Sequence, residues 1–162
     1  MKLDEELVKT EYMRKNNWGK VLSINKRQFD EWTTRKLAES GYGDFKITYL
    51  AVMMNIRPEG INNNELALVA MVTKQAMSKV AKELTDLGYI KPKPSTEDKR
   101  ITIFTLTERG KKLVLQCRLA VHELTEEYRR EFGKKNVDQM LQMMADIIAY
   151  NDKKNNRKQL VK

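Results

Sequence analysis

The sequence has little of what metal and disulfide chemistry needs. Its 162 residues include one cysteine, Cys117, and one histidine, His122. A lone cysteine cannot form an internal disulfide, and a zinc or copper site needs more soft ligands than these two residues supply. Cys117 also lies among apolar residues at helical spacing, where packing is its expected role. We therefore expect no structural disulfide, no metal site and no cofactor.

Long apolar runs are also missing. The longest candidates, such as residues 66–72, fall far short of the roughly 18 to 20 apolar residues that span a bilayer. The first 16 residues alternate charged with apolar side chains, unlike the apolar core of a signal peptide. A glycine-rich phosphate loop, a nucleophile elbow and an HExxH motif are all absent from the sequence. The expectation is a cytoplasmic protein that is not an enzyme and has no membrane partner.

Positive charge, by contrast, is abundant. Lysine and arginine number 31 against 22 acidic residues, which gives a net charge of +9, and 41% of the residues are hydrophobic. That apolar content is enough for a single domain with its own core. The excess charge makes a polyanionic partner such as nucleic acid plausible, but the basic residues of a soluble protein can also simply be solvated. The positions of the charged residues are needed to distinguish a nucleic-acid-binding surface from solvated basic residues.

The sequence predicts that the first 60 residues form helices separated by helix-breaking segments. Apolar residues at near-helical spacing predict one or two helices from Leu3 to about Ser40, with a break at residues 16–19 and an end at the glycines of residues 41–43. A further helix is expected from roughly Asp44 to Asn55, before the stop at residues 57–60. Apolar stripes near the start of the chain would need a partner surface.

Two short helices meeting at a tight turn come next. Asn62 with Glu65 forms a capping-box pattern for a helix from roughly Asn63 to Ala70, and Thr73 is a good N-cap for another that runs to about Leu87. The second helix has one apolar face and one face of hydrogen-bond donors. Such a helix fits the major groove of DNA, although any surface helix carries Lys, Gln and Ser. The candidate DNA contacts are Thr73, Lys74, Gln75, Ser78, Lys79 and Lys82.

A charged hairpin follows the second short helix. Residues 89–91 and 101–106 are β-prone, and the loop between them carries Asp98, Lys99 and Arg100. Asp98 can pair with Arg100 and hold its guanidinium ready for a narrow minor groove. The alternative is an ordinary solvated turn with a surface ion pair. Asp98, Lys99 and Arg100 therefore join the candidate DNA contacts.

Two helices are predicted for the rest of the chain. Thr107 caps a long helix to about Phe132, and Gly133 separates it from a last helix from about Val137 to Tyr150. Residues 151–162 are polar and basic, and we expect a frayed tail there.

The order of these motifs resembles the MarR family of bacterial and archaeal regulators. The resemblance rests on Glu65-Leu66-Ala67, Met77-Ser78-Lys79, Leu84 through Ile90, Asp98-Lys99-Arg100 and Leu106 through Gly110. Asp98 and Arg100 match the family's Asp-x-Arg in the wing, and Leu106, Thr107 and Gly110 match its Leu-Thr-x-x-Gly signature. Met71, where a turn glycine is common, and Pro92, where a basic residue is common, depart from the pattern.

The resemblance implies a mainly α fold with a small β-hairpin. A winged helix-turn-helix lobe would span residues 44–110, with dimerisation helices over residues 1–40 and 111–150. The implied function is a homodimeric, sequence-specific repressor of transcription that reads a pseudo-palindromic DNA operator and is released by a small aromatic or phenolic effector. The alternative is a winged-helix module that binds protein and not DNA.

The effector site is the least defined of these expectations. Family members often bind ligands between the dimerisation helices and the DNA-binding lobe, and four aromatic residues here lie in the bordering segments: Phe29, Trp32, Phe45 and Tyr49. Aromatic residues at helical spacing are usually core residues, and that reading stays open for each of them. The cysteine that peroxide-sensing members carry in their first long helix is absent here.

Overall fold

The computed structural model describes residues 2–14, 17–70, 72–96 and 98–159. The described residues form a mainly helical protein with one small antiparallel sheet, which confirms the predicted fold class. The chain divides into two compact units, residues 1–117 and residues 118–162. Met71 and Glu97, which belong to the predicted turn and hairpin loop, lie outside the described residues.

The N-terminal part of the first unit consists of two helices. Helix α1 is Lys2–Thr10, a 3-10 turn follows at Glu11–Arg14, and helix α2 is Trp18–Glu39. The Asn17 side chain caps α2 by accepting a hydrogen bond from the backbone N–H of Lys20 at 2.8 Å. Helix α2 ends where predicted, because Gly41 adopts a φ of +86° that favours glycine.

Three short helices build the centre of the first unit. A 3-10 turn, Ile47–Tyr49, leads into helix α3, Leu50–Asn55, so the helix predicted from Asp44 begins later than expected. The reason is local, since Lys46 has an extended backbone. Helix α4 is Asn63–Val69 and helix α5 is Lys74–Asp86, both close to their predicted bounds.

The sheet has the strand order β1-β3-β2. Strand β2, Ile90–Pro94, and strand β3, Thr102–Leu106, form the predicted hairpin, in which Pro92 pairs with Phe104. Strand β1, Ile61–Asn62, pairs with the other edge of β3 and was not predicted, because two residues carry no alternating pattern. It adjoins β3 closely: a Cβ on Gly60 would lie nearer than 3.0 Å to the Phe104 carbonyl oxygen.

The core of the first unit lies beneath these elements. Its largest fully buried side chains are Met53, Ile61, Leu66, Met77, Leu84, Tyr89, Ile90 and Leu113. Phe45 packs edge to face on Tyr49 and on Tyr89, with ring centroids 6.2 and 5.2 Å apart. This core fixes the backs of α4 and α5, and so determines which of their side chains face outward.

Two long helices complete the chain. Helix α6, Glu108–Phe132, begins as predicted after Thr107, whose hydroxyl oxygen accepts from the Gly110 N–H at 3.1 Å. Helix α7 is Lys134–Gln159 and follows Gly133, which has a φ of +87°. The sequence predicts an end near Tyr150 and a frayed tail, whereas α7 continues to Gln159; no glycine or proline after Gly133 interrupts it.

Within the second unit, an ion-pair network joins the end of α6 to the start of α7. The Arg129 guanidinium donates to Asp138 at 2.6 Å and also contacts Glu126, and Lys134 Nζ lies 2.6 Å from Asp138. Hydrogen bonds from Lys134 and then Arg129 lower the pKa of Asp138. None of the described helices is long and apolar enough to cross a membrane.

Candidate DNA-binding surface

Helix α5 presents most of the predicted DNA contacts at its exposed face. Met77, Ala81 and Leu84 are buried on the opposite face, with at most 1% of their surface exposed. The Thr73 hydroxyl caps the helix by accepting from the Ala76 N–H at 3.1 Å, as predicted. The predicted contacts on the helix are all exposed: Lys74, Gln75, Ser78, Lys79 and Lys82. They form a surface of donors along the helix, and Lys74 and Gln75 lie in its first turn, where the backbone N–H groups are also positive.

Ser78 differs from its neighbours because its hydroxyl is already engaged. It donates to the Lys74 carbonyl at 2.9 Å and accepts from Asn63 Nδ2 at 3.0 Å. Ser78 therefore connects α4 to α5, in addition to any role toward DNA. Sequence reasoning missed Asn63, whose only signal was its place beside the N-cap Asn62. Its other amide atom, Oδ1, is buried without a hydrogen-bond partner.

The wing is the β2–β3 hairpin with its loop, residues 95–101. Asp98 Oδ1 accepts from the Arg100 backbone N–H at 2.9 Å and from Arg100 Nε at 3.3 Å, so the predicted pairing forms. The Asp98 carbonyl accepts from the Ile101 N–H at 2.9 Å. The Arg100 side chain is 93% exposed, and Lys99 is exposed beside it. A turn built around Asp98 thus extends a guanidinium into solvent.

A groove separates the helix from the wing. It has a volume of about 390 Å³, and residues of α4, α5, β2 and β3 line it, among them Asn63, Ser78, Lys82, Pro92 and Thr102. Two of the predicted DNA contacts line this groove, Ser78 and Lys82, together with the carboxylate of Asp86. The strand residues Pro92, Thr102 and Phe104 form its other side, whereas Arg100 lies further along the wing, in the loop.

The C-terminal half of α5 is fastened from outside the helix. Glu83 Oε2 accepts from Lys46 Nζ at 2.8 Å and also accepts from the Tyr49 hydroxyl. Lys46 Nζ lies 3.0 Å from the same hydroxyl oxygen. Hydrogen bonds from Lys46 and Tyr49 lower the pKa of Glu83, and the Glu83 contacts raise the pKa of Lys46. This arrangement of Lys46, Tyr49 and Glu83, here called the Glu83 clamp, was not predicted from the sequence.

The base of the wing has its own anchor. The Arg109 guanidinium donates to both Asp44 carboxylate oxygens at 2.9 Å and to the Leu87 carbonyl at 2.7 Å, and lies 4.4 Å from the centroid of the Tyr89 ring. The Tyr89 hydroxyl donates to Asp44 at 2.8 Å. These bonds, first that of Tyr89 and then those of Arg109, lower the pKa of Asp44, while burial raises the pKa of Tyr89.

The four aromatic candidates for effector binding fall into two pairs. Phe29 and Trp32 are stacked on α2 at a centroid distance of 5.9 Å and are half-buried. Phe45 and Tyr49 are each only 6% exposed and belong to the core. An open groove of about 680 Å³ runs along α2, but its lining is mostly charged and includes Lys26, Arg27 and Arg35. A ligand role for any of the four remains a prediction.

Cys117 is buried, and burial raises the pKa of its thiol. An un-ionised, enclosed thiol reacts slowly with oxidants, which agrees with the packing role predicted for it. Among the described residues, no group of three or more His, Cys, Asp or Glu side chains could hold a metal ion.

A helix-turn-helix followed by a β-hairpin beside the second helix defines a winged helix-turn-helix protein. The family model described as "MarR family" matches residues 44–101. The winged-helix part of this chain is therefore similar to the MarR family, in agreement with the resemblance of its motifs. Members of this family are transcription factors without enzymatic activity, in agreement with the prediction that the chain is not an enzyme.

Solved structures with the same fold extend beyond the winged-helix part. FabT from Streptococcus pneumoniae in complex with DNA has a TM-score of 0.68 and 15% identity, over 84% of this chain and 98% of that one. The repressor CouR bound to a 23-mer DNA duplex has a TM-score of 0.67 and 20% identity, over 82% and 92%. CouR from Rhodococcus jostii RHA1 bound to p-coumaroyl-CoA has a TM-score of 0.64 and 19% identity, also over 82% and 92%. Comparison with curated protein sequences gave no match.

Proposed function

We propose that the protein is a sequence-specific, double-stranded DNA-binding regulator of transcription. The observation that carries the proposal is the presence of two exposed cationic elements in one winged helix-turn-helix: the donors of α5 and the Arg100 side chain of the wing. Gln75 and Lys79 have the chemistry to read base edges in the major groove, and Arg100 that to enter the minor groove. The DNA complexes of FabT and CouR support the proposal.

The protein acts as a homodimer in this proposal. Exposed apolar side chains are concentrated in α1, α2, α6 and α7, including Leu3 at 71%, Val8 at 77%, Phe132 at 60% and Ile148 at 62%. Surfaces of this kind mark interfaces in soluble proteins. Pairing through the predicted dimerisation helices, residues 1–40 and 111–150, would present two recognition helices to a pseudo-palindrome with half-sites about 10 base pairs apart.

Regulation by a small molecule completes the proposal. We infer a cytoplasmic repressor that leaves DNA when an effector changes the spacing of its two recognition helices. The half-exposed stack of Phe29 and Trp32 offers an aromatic surface, and CouR in its complex with p-coumaroyl-CoA provides a precedent for the fold. The chemistry of the effector would be aromatic or phenolic, since stacking on such a surface favours a planar ring.

Selection of bound fragments from genomic DNA, followed by light scattering of the protein with and without the selected duplex, tests the function. A dimer that binds one enriched pseudo-palindrome is the expected result. A monomer in both conditions would contradict the dimer. A chain that enriches no sequence and binds DNA without dependence on salt would favour the alternative, a winged-helix protein-interaction module.

A further inference from the structure

We propose that Lys46 and Tyr49 are positioning residues for DNA recognition, which act by holding Glu83 and thereby fixing the rotation of α5 about its axis. The inference rests on the proposed DNA-binding function and deepens it. The Glu83 clamp would thus contribute to the selectivity of the protein for its operator over other DNA. Neither Lys46 nor Tyr49 belongs to the recognition helix.

The clamp joins segments that are far apart in the sequence. Glu83 lies in the last turns of α5, whereas Lys46 and Tyr49 stand 37 and 34 residues earlier, at the 3-10 turn that precedes α3. Tyr49 is only 6% exposed, and its ring packs on Phe45. Because the core holds the ring, the hydroxyl is a fixed point against which α5 is set.

The clamp acts on the face of α5 that matters for reading DNA. Gln75, Lys79 and Glu83 follow one another at intervals of four residues and so lie along one stripe of the helix. Lys79 is close enough that its charge contributes to lowering the pKa of Glu83. Fixing Glu83 therefore fixes the direction in which Gln75 and Lys79 point.

Small rotations of this helix have large consequences for recognition. With side chains reaching about 5 to 6 Å from the axis, a rotation of about 10° moves their tips by about 1 Å. Binding groups have to be held within about 0.5 Å of the productive geometry. Apolar contacts are non-directional and tolerate such a movement, whereas hydrogen bonds lose strength with distance and angle.

A second fixed point exists nearer the N-terminus of the helix. There Asn63 donates to the Ser78 hydroxyl at 3.0 Å. The Glu83 and Ser78 contacts lie more than one turn apart along α5, so together they restrain both its rotation and its tilt. The Glu83 and Lys46 side chains are 31% and 62% exposed, and ion pairs so exposed add little to stability. Orientation is therefore the main effect expected of the clamp.

The test compares affinity for the selected operator with affinity for a random duplex of equal length at one salt concentration, using the full chain. Tyr49→Phe keeps the ring and every charge but removes the hydroxyl. We expect its operator affinity to fall about tenfold, which corresponds to about 1.4 kcal/mol, while random-duplex affinity stays unchanged. Glu83→Gln should lose the same selectivity, with tighter random binding because a negative charge is gone. The double variant should lose no more selectivity than either single one.

Glu108→Gln is the matched control, because Glu108 also makes an ion pair, with Lys111 at 2.6 Å, but lies on α6. Its ratio of operator to random affinity should equal that of the parent. Unchanged ratios for Tyr49→Phe and Glu83→Gln would overturn the inference, as would an equal loss of both affinities accompanied by a lower melting temperature. If Tyr49→Phe does not fold, the ratios of operator to random affinity of Glu83→Gln and Lys46→Gln test the inference in its place. A parent chain that does not distinguish operator from random DNA would instead refute the proposed function.

Discussion

The recognition helix α5 and the tip of the wing are held in place by different kinds of contact. Helix α5 is fastened by the buried side chains of Met77 and Leu84 and by hydrogen bonds that reach it from other segments at Ser78 and Glu83. The turn at the wing tip is held by bonds within residues 95–101, centred on Asp98, and its Arg100 is almost fully exposed. One element is positioned by the fold, and the other by its own loop.

This contrast indicates a division of labour. Base edges require hydrogen-bonding groups at fixed positions, which a helix held at two points along its length provides. The width and charge of a minor groove vary gradually along DNA, and a guanidinium on a short local turn can follow them. Substitutions in the helix should therefore change which sequence is bound, and those in the wing how strongly most sequences are bound.

The largest expected effect comes from salt. If about six phosphate contacts form, a fourfold rise in salt should weaken binding more than about a thousandfold, because each contact releases counterions with a slope near −0.9. Arg100→Ala should flatten the slope by about 0.9 for every contact it removes. A salt titration of parent and variant measures both. Equal slopes would show that Arg100 stays in solvent when DNA is bound.

Substituting Gln75 should alter sequence preference. Gln75→Ala is expected to relax the preference at one or two base pairs, each by about 1 to 3 kcal/mol, and to leave random binding almost unchanged. Binding to a panel of single-base operator variants measures this. Gln142→Ala, on α7, is the control and should retain every preference. If Gln75→Ala also retains every base preference, Gln75 is a solvated residue that does not read a base.

Removing the cap of the recognition helix should affect stability. Thr73→Ala deletes the hydroxyl that accepts from the Ala76 N–H and is expected to lower the free energy of unfolding by about 1 kcal/mol. Urea denaturation gives the value. Thr34→Ala serves for comparison, since the Thr34 hydroxyl donates to a carbonyl of its own helix and caps nothing. A loss no greater than that of Thr34→Ala would argue against the capping role.

The smallest effect belongs to Asp98. Asp98→Ala frees the Arg100 side chain and should weaken binding to most sites by less than Arg100→Ala does, in line with about 1 kcal/mol or less for an exposed pair. The same operator panel, with narrow A-tracts beside some half-sites, measures it. Asp98→Asn keeps an acceptor for the Arg100 backbone N–H and should lie between parent and Asp98→Ala. Tighter binding by Asp98→Ala would mean that the carboxylate mainly repels DNA.

What the sequence predicts well is encoded locally. The caps at Asn62 and Thr73, the hairpin and the Asp98–Arg100 pairing each depend on residues a few positions apart, and all appear in the structure. Contacts between distant segments leave no such pattern. Lys46 and Glu83 are 37 residues apart, so their pairing, like that of Asp44 with Arg109, emerges only once the chain is folded.

Strand β1 and the end of α7 were missed for different reasons. Two residues are too few to show strand periodicity, and β1 depends on the prior presence of β3. The polar residues beyond Tyr150 lack an apolar stripe, but nothing among them stops a helix that is already formed. Phe45 and Tyr49 illustrate a third limit, because their spacing fits a ligand site and a core equally well and they are buried in the core.

The close approach at Gly110 has a consequence for how related sequences are interpreted. A Cβ at this position would lie nearer than 3.0 Å to the Tyr89 carbonyl oxygen, and the Thr107 hydroxyl beside it donates to the Gly88 carbonyl at 2.7 Å. The threonine and glycine of the Leu-Thr-x-x-Gly signature therefore allow the start of helix α6 to pack closely against the base of the wing. A chain that had stopped binding DNA would still need it. In an uncharacterised sequence, the signature therefore indicates the winged-helix fold. Whether such a protein binds DNA is better indicated by the wing arginine and by the polar face of the recognition helix.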